Sequence, residues 1–212
     1  MTPRTDIPRI ILASSSPRRR ELLERLKLSF EQRPANVDER RRANEGPRDL
    51  VARLAHDKAA ACAGMLGDER AHVVVIAADT TVWTDGGRVL GKPRDAEDAR
   101  ATLRALSGRV HHVSTGVELI WGERRRSFVE TTDVRFHELS DAAVCAYVAS
   151  GEPMDKAGSY GIQGHGGLLV SDIRGDYTNV VGLPLSRLVR ELDELMGPQG
   201  AGASLLERAL RG

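Results

Sequence analysis

Four consecutive β-branched residues, Val73–Ile76, lie inside an apolar run from His72 to Ala78. Such a run favours an extended chain over a helix, so it reads as the strongest strand in the sequence. Asp79-Thr80-Thr81 follows it directly. A second, shorter run, Arg9–Ala13, reads as another buried strand. Whatever this chain folds into must cover both.

The segments between supply the cover. Ser16-Pro17 has the form of a helix start, serine as N-cap and proline in the first turn, and Leu22, Leu23 and Leu26 give that helix an apolar face. Gly46-Pro47 opens a second helix, with Leu50, Leu54, Ala55, Ala59 and Cys62 at helical spacing. Asp95 caps a third helix reaching about Leu106, and Ser140 caps a fourth ending near Gly151. Two long strands, Val110–Trp121 and Ser127–Phe136, are joined around Gly122. Asp85-Gly86-Gly87 marks a tighter hairpin. A glycine-dense stretch from Gly158 to Gly167 precedes a strand at Leu168–Ile173, and Pro184 opens a last main helix to Met196. The expected fold is α/β with a mixed sheet. Residues 1–196 form one domain, and 197–212 a flexible C-terminal tail with a short polar helix.

Composition removes several alternatives. The chain has 212 residues, 41% hydrophobic and 29% charged, which is globular rather than disordered. At that length about 70% of the unfolded surface is buried, so no disulfide is needed. A net charge of +1 and 4% aromatics give neither a broad electrostatic surface for nucleic acid nor a base-stacking platform. No apolar run approaches a membrane span, and the start of the chain lacks a secretory signal. Two cysteines far apart fit a reducing, cytoplasmic setting. Of 31 basic residues only four are lysines, Lys27, Lys58, Lys92 and Lys156. Lysine is a point charge where arginine is a fork, so its use here is informative.

The chemistry concentrates in a few places. Ser14-Ser15-Ser16-Pro17-Arg18-Arg19-Arg20 leads a strand through a serine turn into a helix start carrying three arginines. Basic residues there oppose the helix dipole, a conflict an anion resolves. Neither G-x-x-x-x-G-K-[ST] nor a strand-following G-x-G-x-x-G occurs, so this is not a common nucleotide loop. Gly161-Ile-Gln-Gly164-His-Gly166-Gly167 has the wrong order for one and points to close backbone approach. Asp79 at the end of a strand sits where α/β sheets place ligand groups. Lys92 lies a short hairpin away, Lys58 is mid-helix among alanines, and Asp38-Glu39 ends the preceding loop. Together these offer carboxylates for a divalent metal and cations for phosphates. A serine triad has no nucleophile elbow, and the adjacent His111 and His112 point to opposite faces of a strand and cannot jointly chelate.

Taken in order, ILASSSPRRRELLERL, VDER, RLAHDKA, AADTTVW, GKPRDAEDARATLRALSG, ASGEPMDKAGSYGIQG and NVVGLPLSRL resemble the Maf family of nucleotide pyrophosphatases over about residues 9–195. Arg18, Thr80 and Gln163 resemble the subgroup acting on dTTP and UTP rather than on 7-methyl-GTP. The resemblance implies an inosine triphosphate pyrophosphatase-like fold: a long twisted mixed sheet flanked by helices in two lobes, with a central cleft. It implies a homodimer, a divalent cation such as Mg²⁺ or Mn²⁺, and cleavage to the monophosphate plus pyrophosphate. Carried over by motif, Asp79 is the proton acceptor. Ser14, Ser16, Arg19, Lys58 and Lys92 hold the phosphates, Arg18, Thr80 and Gln163 set specificity, and Glu39 with Asp79 holds the metal. The chain departs from the family at His165, where leucine is expected, at the bulky Trp83, and in its tail.

On this reading water attacks the α-phosphorus and Asp79 takes its proton. The Gln163 amide can accept from N3–H and donate to O4 of uracil or thymine; a flipped amide suits cytosine, so CTP stays open. Two other classes remain. A nucleotide-binding regulator of cell division would release little or no pyrophosphate, and an RNA-binding protein would show salt-dependent binding.

Overall fold

The computed structural model describes residues 8–197 and 204–211. Its centre is one mixed sheet of seven strands, β1 (Arg9–Leu12), β2 (Phe30–Gln32), β3 (Val73–Trp83), β4 (Val89–Leu90), β5 (Val110–Trp121), β6 (Arg124–Phe136) and β7 (Val170–Arg174). They run in the order β2-β1-β3-β5-β6-β7, with β4 paired to β3 off that path. β1 is parallel to both its neighbours, and every other pairing is antiparallel. The expected α/β class with a mixed sheet is what forms.

Helices begin where local chemistry predicts. Ser16 caps α1 (Pro17–Glu24) by accepting from the Arg19 N–H at 3.4 Å. Asp95 caps α3 (Ala96–Leu106) at 2.8 Å from the Asp98 N–H, and Ser140 caps α4 (Asp141–Ala149) at 3.2 Å from that of Ala143. These caps satisfy amides that a helix leaves without partners. α2 (Pro47–Gly64) and α6 (Leu185–Met196) start at their prolines as expected. One short helix, α5 (Tyr177–Val181), has no counterpart in the sequence reading; its N-cap is Asp176.

Side-chain alternation on β3 divides the interior. Val74, Ile76 and Ala78 face a core built with α1 and α6, while Val73, Val75 and Ala77 face α2 through Ala59, Cys62 and Ala63. Further along the sheet a third core joins Val82, Val113, Val134 and Phe136 to α3 and α4. Near the C-terminus, α7 (Leu205–Arg211) sets Leu205 into the α1–α6 core, and the Leu205 N–H donates to Asp193 at 2.7 Å. Of the flexible tail expected at 197–212, residues 198–203 lie outside the described residues.

Among the element boundaries that differ from the sequence reading, three matter most. β6 starts at Arg124 instead of Ser127, lengthening the hairpin. β7 starts at Val170, because His165–Leu169 coil into a 3₁₀ turn. β3 does not stop at Ala78 but runs on to Trp83. The cause of that extension lies across the sheet: β5 pairs with β3 continuously from Val74 to Trp83. An Asp that resembles a turn former is carried in extended form by its partner strand.

Candidate active site

The extension of β3 makes the site. On its other edge, β1 pairs only as far as Leu12 opposite Ile76 before turning away into Ser14–Ser16. β4 takes up that edge again at Val82 and Trp83. Residues 77–81 of β3 therefore lie along an edge that neither ladder covers. Asp79 is not at the strand's end, as the sequence implied, but beside this gap.

Adjacent strand residues point to opposite faces, and Asp79 and Thr80 do. Asp79 shares the α2 face with Ala77 and pairs across the ladder with Gly116. Gly116 carries no Cβ because α2 lies directly on it: a Cβ there would meet the Val51 carbonyl. Lys58, two turns further along α2, is thereby brought over the carboxylate. Its Nζ donates to Asp79 Oδ1 at 2.6 Å and pairs with Glu39 Oε1 at 2.7 Å. The ammonium gathers the two candidate metal ligands onto one point. No second hydrogen bond to the Asp79 carboxylate exists among the described residues.

Thr80, on the other face, meets Arg19 of α1. Its hydroxyl accepts from the Arg19 guanidinium at 2.9 Å and lies 2.9 Å from Thr115 Oγ1. Arg19 also donates to the Gly182 carbonyl at 2.9 Å and to Ser14 Oγ at 3.3 Å. All three acceptors are neutral, and Arg19 makes no ion pair among the described residues. Burial lowers its pKa, with Asp79 opposing, but a guanidinium stays charged. Its positive charge is therefore left for something other than the protein. Ser14 and Ser16 are nearby but already engaged. Ser14 Oγ accepts from the Ser16 N–H at 3.2 Å, so that amide is not free for a phosphate.

These residues line a single cavity of about 740 Å³. All ten positions singled out from the sequence border it: Ser14, Ser16, Arg18, Arg19, Glu39, Lys58, Asp79, Thr80, Lys92 and Gln163. The tool that binds them is the gap, which opens one cavity to both faces of the sheet. Lys92 and Gln163 are exposed there, and neither side chain has a protein hydrogen-bond partner among the described residues. Arg18 sits 3.7 Å from Asp155 across the cavity.

Four further residues lie outside the ten site positions expected from the sequence. Lys156 lines the cavity, its Nζ donating to the Glu152 carbonyl and to Asp155 Oδ1, both at 2.7 Å. The scarcity of lysine was a signal for it: three of the four lysines border the cavity, and only Lys27 does not. Tyr160 also lines it, and its hydroxyl lies 2.9 Å from the buried His111 Nε2. Arg53 organises the loop that carries Glu39, donating to Glu45 at 2.5 Å and to the Arg40 carbonyl at 3.1 Å. That hydrogen bond holds the Glu45 carboxyl well below the usual range. Glu152 is the fourth, a carboxylate on the wall of a cation-rich cavity. Nothing local in the sequence marks Glu152, Arg53 or Tyr160, because their partners are remote or supplied by folding.

A family model for Maf-like proteins matches residues 9–195. The chain belongs to the Maf-like family. It is 52% identical over 187 residues to a dTTP/UTP pyrophosphatase from Anaeromyxobacter dehalogenans, covering 84% of this chain and 90% of that one. A dTTP/UTP pyrophosphatase from Bacillus cytotoxicus is 48% identical over 186 residues, covering 88% and 95%. A looser structural likeness, TM-score 0.47 and 14% identity over 89% of this chain and 100% of the other, is to a HAM1 protein from Coxiella burnetii. No described helix is long and apolar enough to cross a membrane.

Proposed function

We propose that this Maf-like protein is a nucleoside triphosphate pyrophosphatase that hydrolyses dTTP and UTP to the monophosphate and pyrophosphate. The observation that carries the reading is the 52% identity to a dTTP/UTP pyrophosphatase over 84% of the chain. The cavity supports it: one carboxylate on a strand edge, an arginine with no anionic partner, and an amide with no protein partner.

Asp79 is the proton acceptor. Water attacks the α-phosphorus, its proton passes to the Asp79 carboxylate, and the bond from phosphorus to the bridging oxygen breaks to release pyrophosphate. Arg19, Lys58 and Lys92 stabilise charge that spreads over the phosphate oxygens. Thr80 acts through Arg19: its hydroxyl holds the guanidinium, so its influence on substrate choice is indirect. Ser14 and Ser16 shape the turn and orient Arg19, and Arg18, on the cavity wall facing Asp155, contributes to substrate choice. Gln163 reads the pyrimidine, accepting from N3–H and donating to O4.

The donor set fits a divalent cation. Asp79 and Glu39 converge on one ammonium, and both offer hard oxygens. No group of three or more acidic, histidine or cysteine side chains that could hold a metal exists among the described residues. Mg²⁺ or Mn²⁺ would thus be held by these two carboxylates together with the substrate's own phosphates, as Mg²⁺ commonly is. When bound, it neutralises phosphate charge and acidifies water. Residues 1–196 act as one domain, and the protein works as a cytoplasmic homodimer without nucleic acid; light scattering on the purified protein checks the dimer.

The test is product identity. Incubation with UTP or dTTP and Mg²⁺ or Mn²⁺ yields the monophosphate and pyrophosphate in equal amounts. Tight nucleotide binding without pyrophosphate release would instead support a regulator of division, the second reading.

A further inference from the structure

Glu152 should be out of place. It borders a cavity lined by Arg18, Arg19, Lys58, Lys92 and Lys156, where a polyanion is expected and a carboxylate repels it. Its oxygens are nonetheless committed elsewhere. Oε2 accepts from the His165 N–H at 2.9 Å and lies 3.2 Å from His165 Nδ1, and Oε1 accepts from the Gly166 N–H at 3.2 Å. Tyr147, buried on α4, donates its hydroxyl to Oε1 at 3.0 Å and accepts from the Gly161 N–H at 3.1 Å. The segment from Gly161 to Gly166 is therefore held at both ends, and Gln163 lies between the two fastenings.

The glycines of this segment are what the fastening requires. A Cβ on Gly164 would lie 2.5 Å from Glu152 Oε1 and 2.7 Å from Oε2, and one on Gly166 would lie 2.5 Å from the Tyr147 hydroxyl. Gly164 has φ −104, open to any residue, so space rather than backbone freedom demands glycine there. No strand ladder holds the segment: its backbone bonds are those of short turns, such as Gly164 N–H to Gly161 C=O at 3.3 Å and Gly167 N–H to Gly164 C=O at 3.0 Å. Burial works to raise the Glu152 pKa, but the amide hydrogen bonds from Gly166 and His165 outweigh it and hold the group low.

We propose that Glu152, with Tyr147, is a positioning residue for pyrimidine selection, a staple that fixes the loop carrying Gln163. The proposal rests on the base-reading role given to Gln163 above. Charge-assisted hydrogen bonds are among the stronger ones available, and two backbone amides and the Tyr147 hydroxyl donate to this carboxylate.

The experiment compares UTP and GTP hydrolysis in Glu152→Ala, Glu152→Gln and Gln163→Ala, with thermal melting of each. In Glu152→Ala, KM for UTP rises about tenfold while kcat at saturation changes less than about threefold, and the UTP-over-GTP ratio of kcat/KM falls about tenfold. Glu152→Gln, which keeps one accepting oxygen, falls between. Gly164→Ala, which pushes the carboxylate away, gives the same loss of ratio and carries the test if Glu152→Ala does not fold. General damage to the fold lowers both substrates alike. Amide hydrogen exchange at His165 and Gly166, independent of turnover, speeds up in Glu152→Ala. An unchanged UTP-over-GTP ratio in a folded Glu152→Ala protein overturns the proposal. Gln163→Ala then says how far the failure extends: lost selectivity there removes the staple alone, and retained selectivity removes the base-reading role with it.

Discussion

The two walls of the cavity are built on different principles. The wall that carries Asp79, Lys58 and Arg19 belongs to a ten-residue ladder between β3 and β5 and to helices packed on either face. The wall that carries Gln163 runs from Gly151 to Leu169 through short 3₁₀ turns and is tied down by side chains. The first wall inherits its precision from backbone hydrogen bonds and core packing, which no single side chain controls. The second depends on individual groups such as Glu152, Tyr147 and Lys156. On the function proposed above, a site that holds one phosphate chain but discriminates among bases is served by that division. The phosphate end is rigid by construction, and the base end is set by residues that can change one at a time.

The comparison is broken most directly at Asp79. Asp79→Asn keeps shape but removes the proposed proton acceptor, and kcat should fall about 10²–10⁴-fold. UTP affinity measured without turnover should hold or improve, because an anion has left the neighbourhood of a polyanion. Folding should be unaffected, since the ladder carries the residue. Near-normal kcat at saturating metal would move the base role to Glu39.

The base end should instead respond to acid. His111 is fully buried, and burial pushes its pKa down to about 4, against about 6.5 for an ordinary histidine. The unfolded chain then binds more protons than the folded one between those values, so stability is present above about pH 6.5 and is lost as pH falls through about 4. The largest loss from this group is about 3 kcal/mol. Its neighbour His112 has the opposite sign. Burial lowers its pKa, but hydrogen bonds to Asp85 and Asp133 outweigh that and raise it, so its contribution is full below pH 6.5 and fades as pH rises. In the acid window His111 therefore acts alone of the two. Melting curves at stepped pH, repeated with His111→Gln, check this: the variant should flatten the fall. Because His111 touches Tyr160 on the base wall, hydrogen exchange near Tyr160 should rise there before exchange in β3 does.

A change at Gln163 should alter choice rather than rate. Gln163→Glu sets a carboxylate against O4 of uracil or thymine and should weaken kcat/KM for UTP and dTTP by about 2 kcal/mol. A purine with a ring N–H and an exocyclic donor should suffer less. Equal losses on every triphosphate would mean that the two walls do not divide the work.

The smallest effect expected is from charge shape. Lys58→Arg, Lys92→Arg and Lys156→Arg each keep the charge but replace a compact ammonium with a planar fork. Each should lower kcat/KM about tenfold. Lys27→Arg, outside the cavity, should not. Full activity in all four would remove the argument from lysine usage.

Much of the phosphate wall was legible because its signals are local. A serine before a proline caps α1, an aspartate caps α3, and a β-branched run makes β3, each set by neighbours within a few residues. The alternation that separates His111 from His112 also separates Asp79 from Thr80. It assigns the first to the α2 face and the second to the α1 face, although the sequence reading placed both just past the end of the strand. The motif order even assembled the ten residues that line the cavity, without saying why they meet.

What the tertiary structure decided is non-local. The uncovered edge of β3 exists because β1 ends at Leu12 while β5 continues to Trp83's level, a mismatch between strands roughly 30 to 100 residues apart in the chain. Lys58 reaches Asp79 because Gly116, on a third element, lets α2 lie flat. Glu152 meets the amides of His165 and Gly166 across a turn of glycines that no periodicity describes. Periodicity and caps report hydrogen bonds and burial between near neighbours, so they write elements into the sequence. The meeting of side chains from separate elements depends on register, ladder length and close approach, and these are fixed only when the whole sheet is paired and packed.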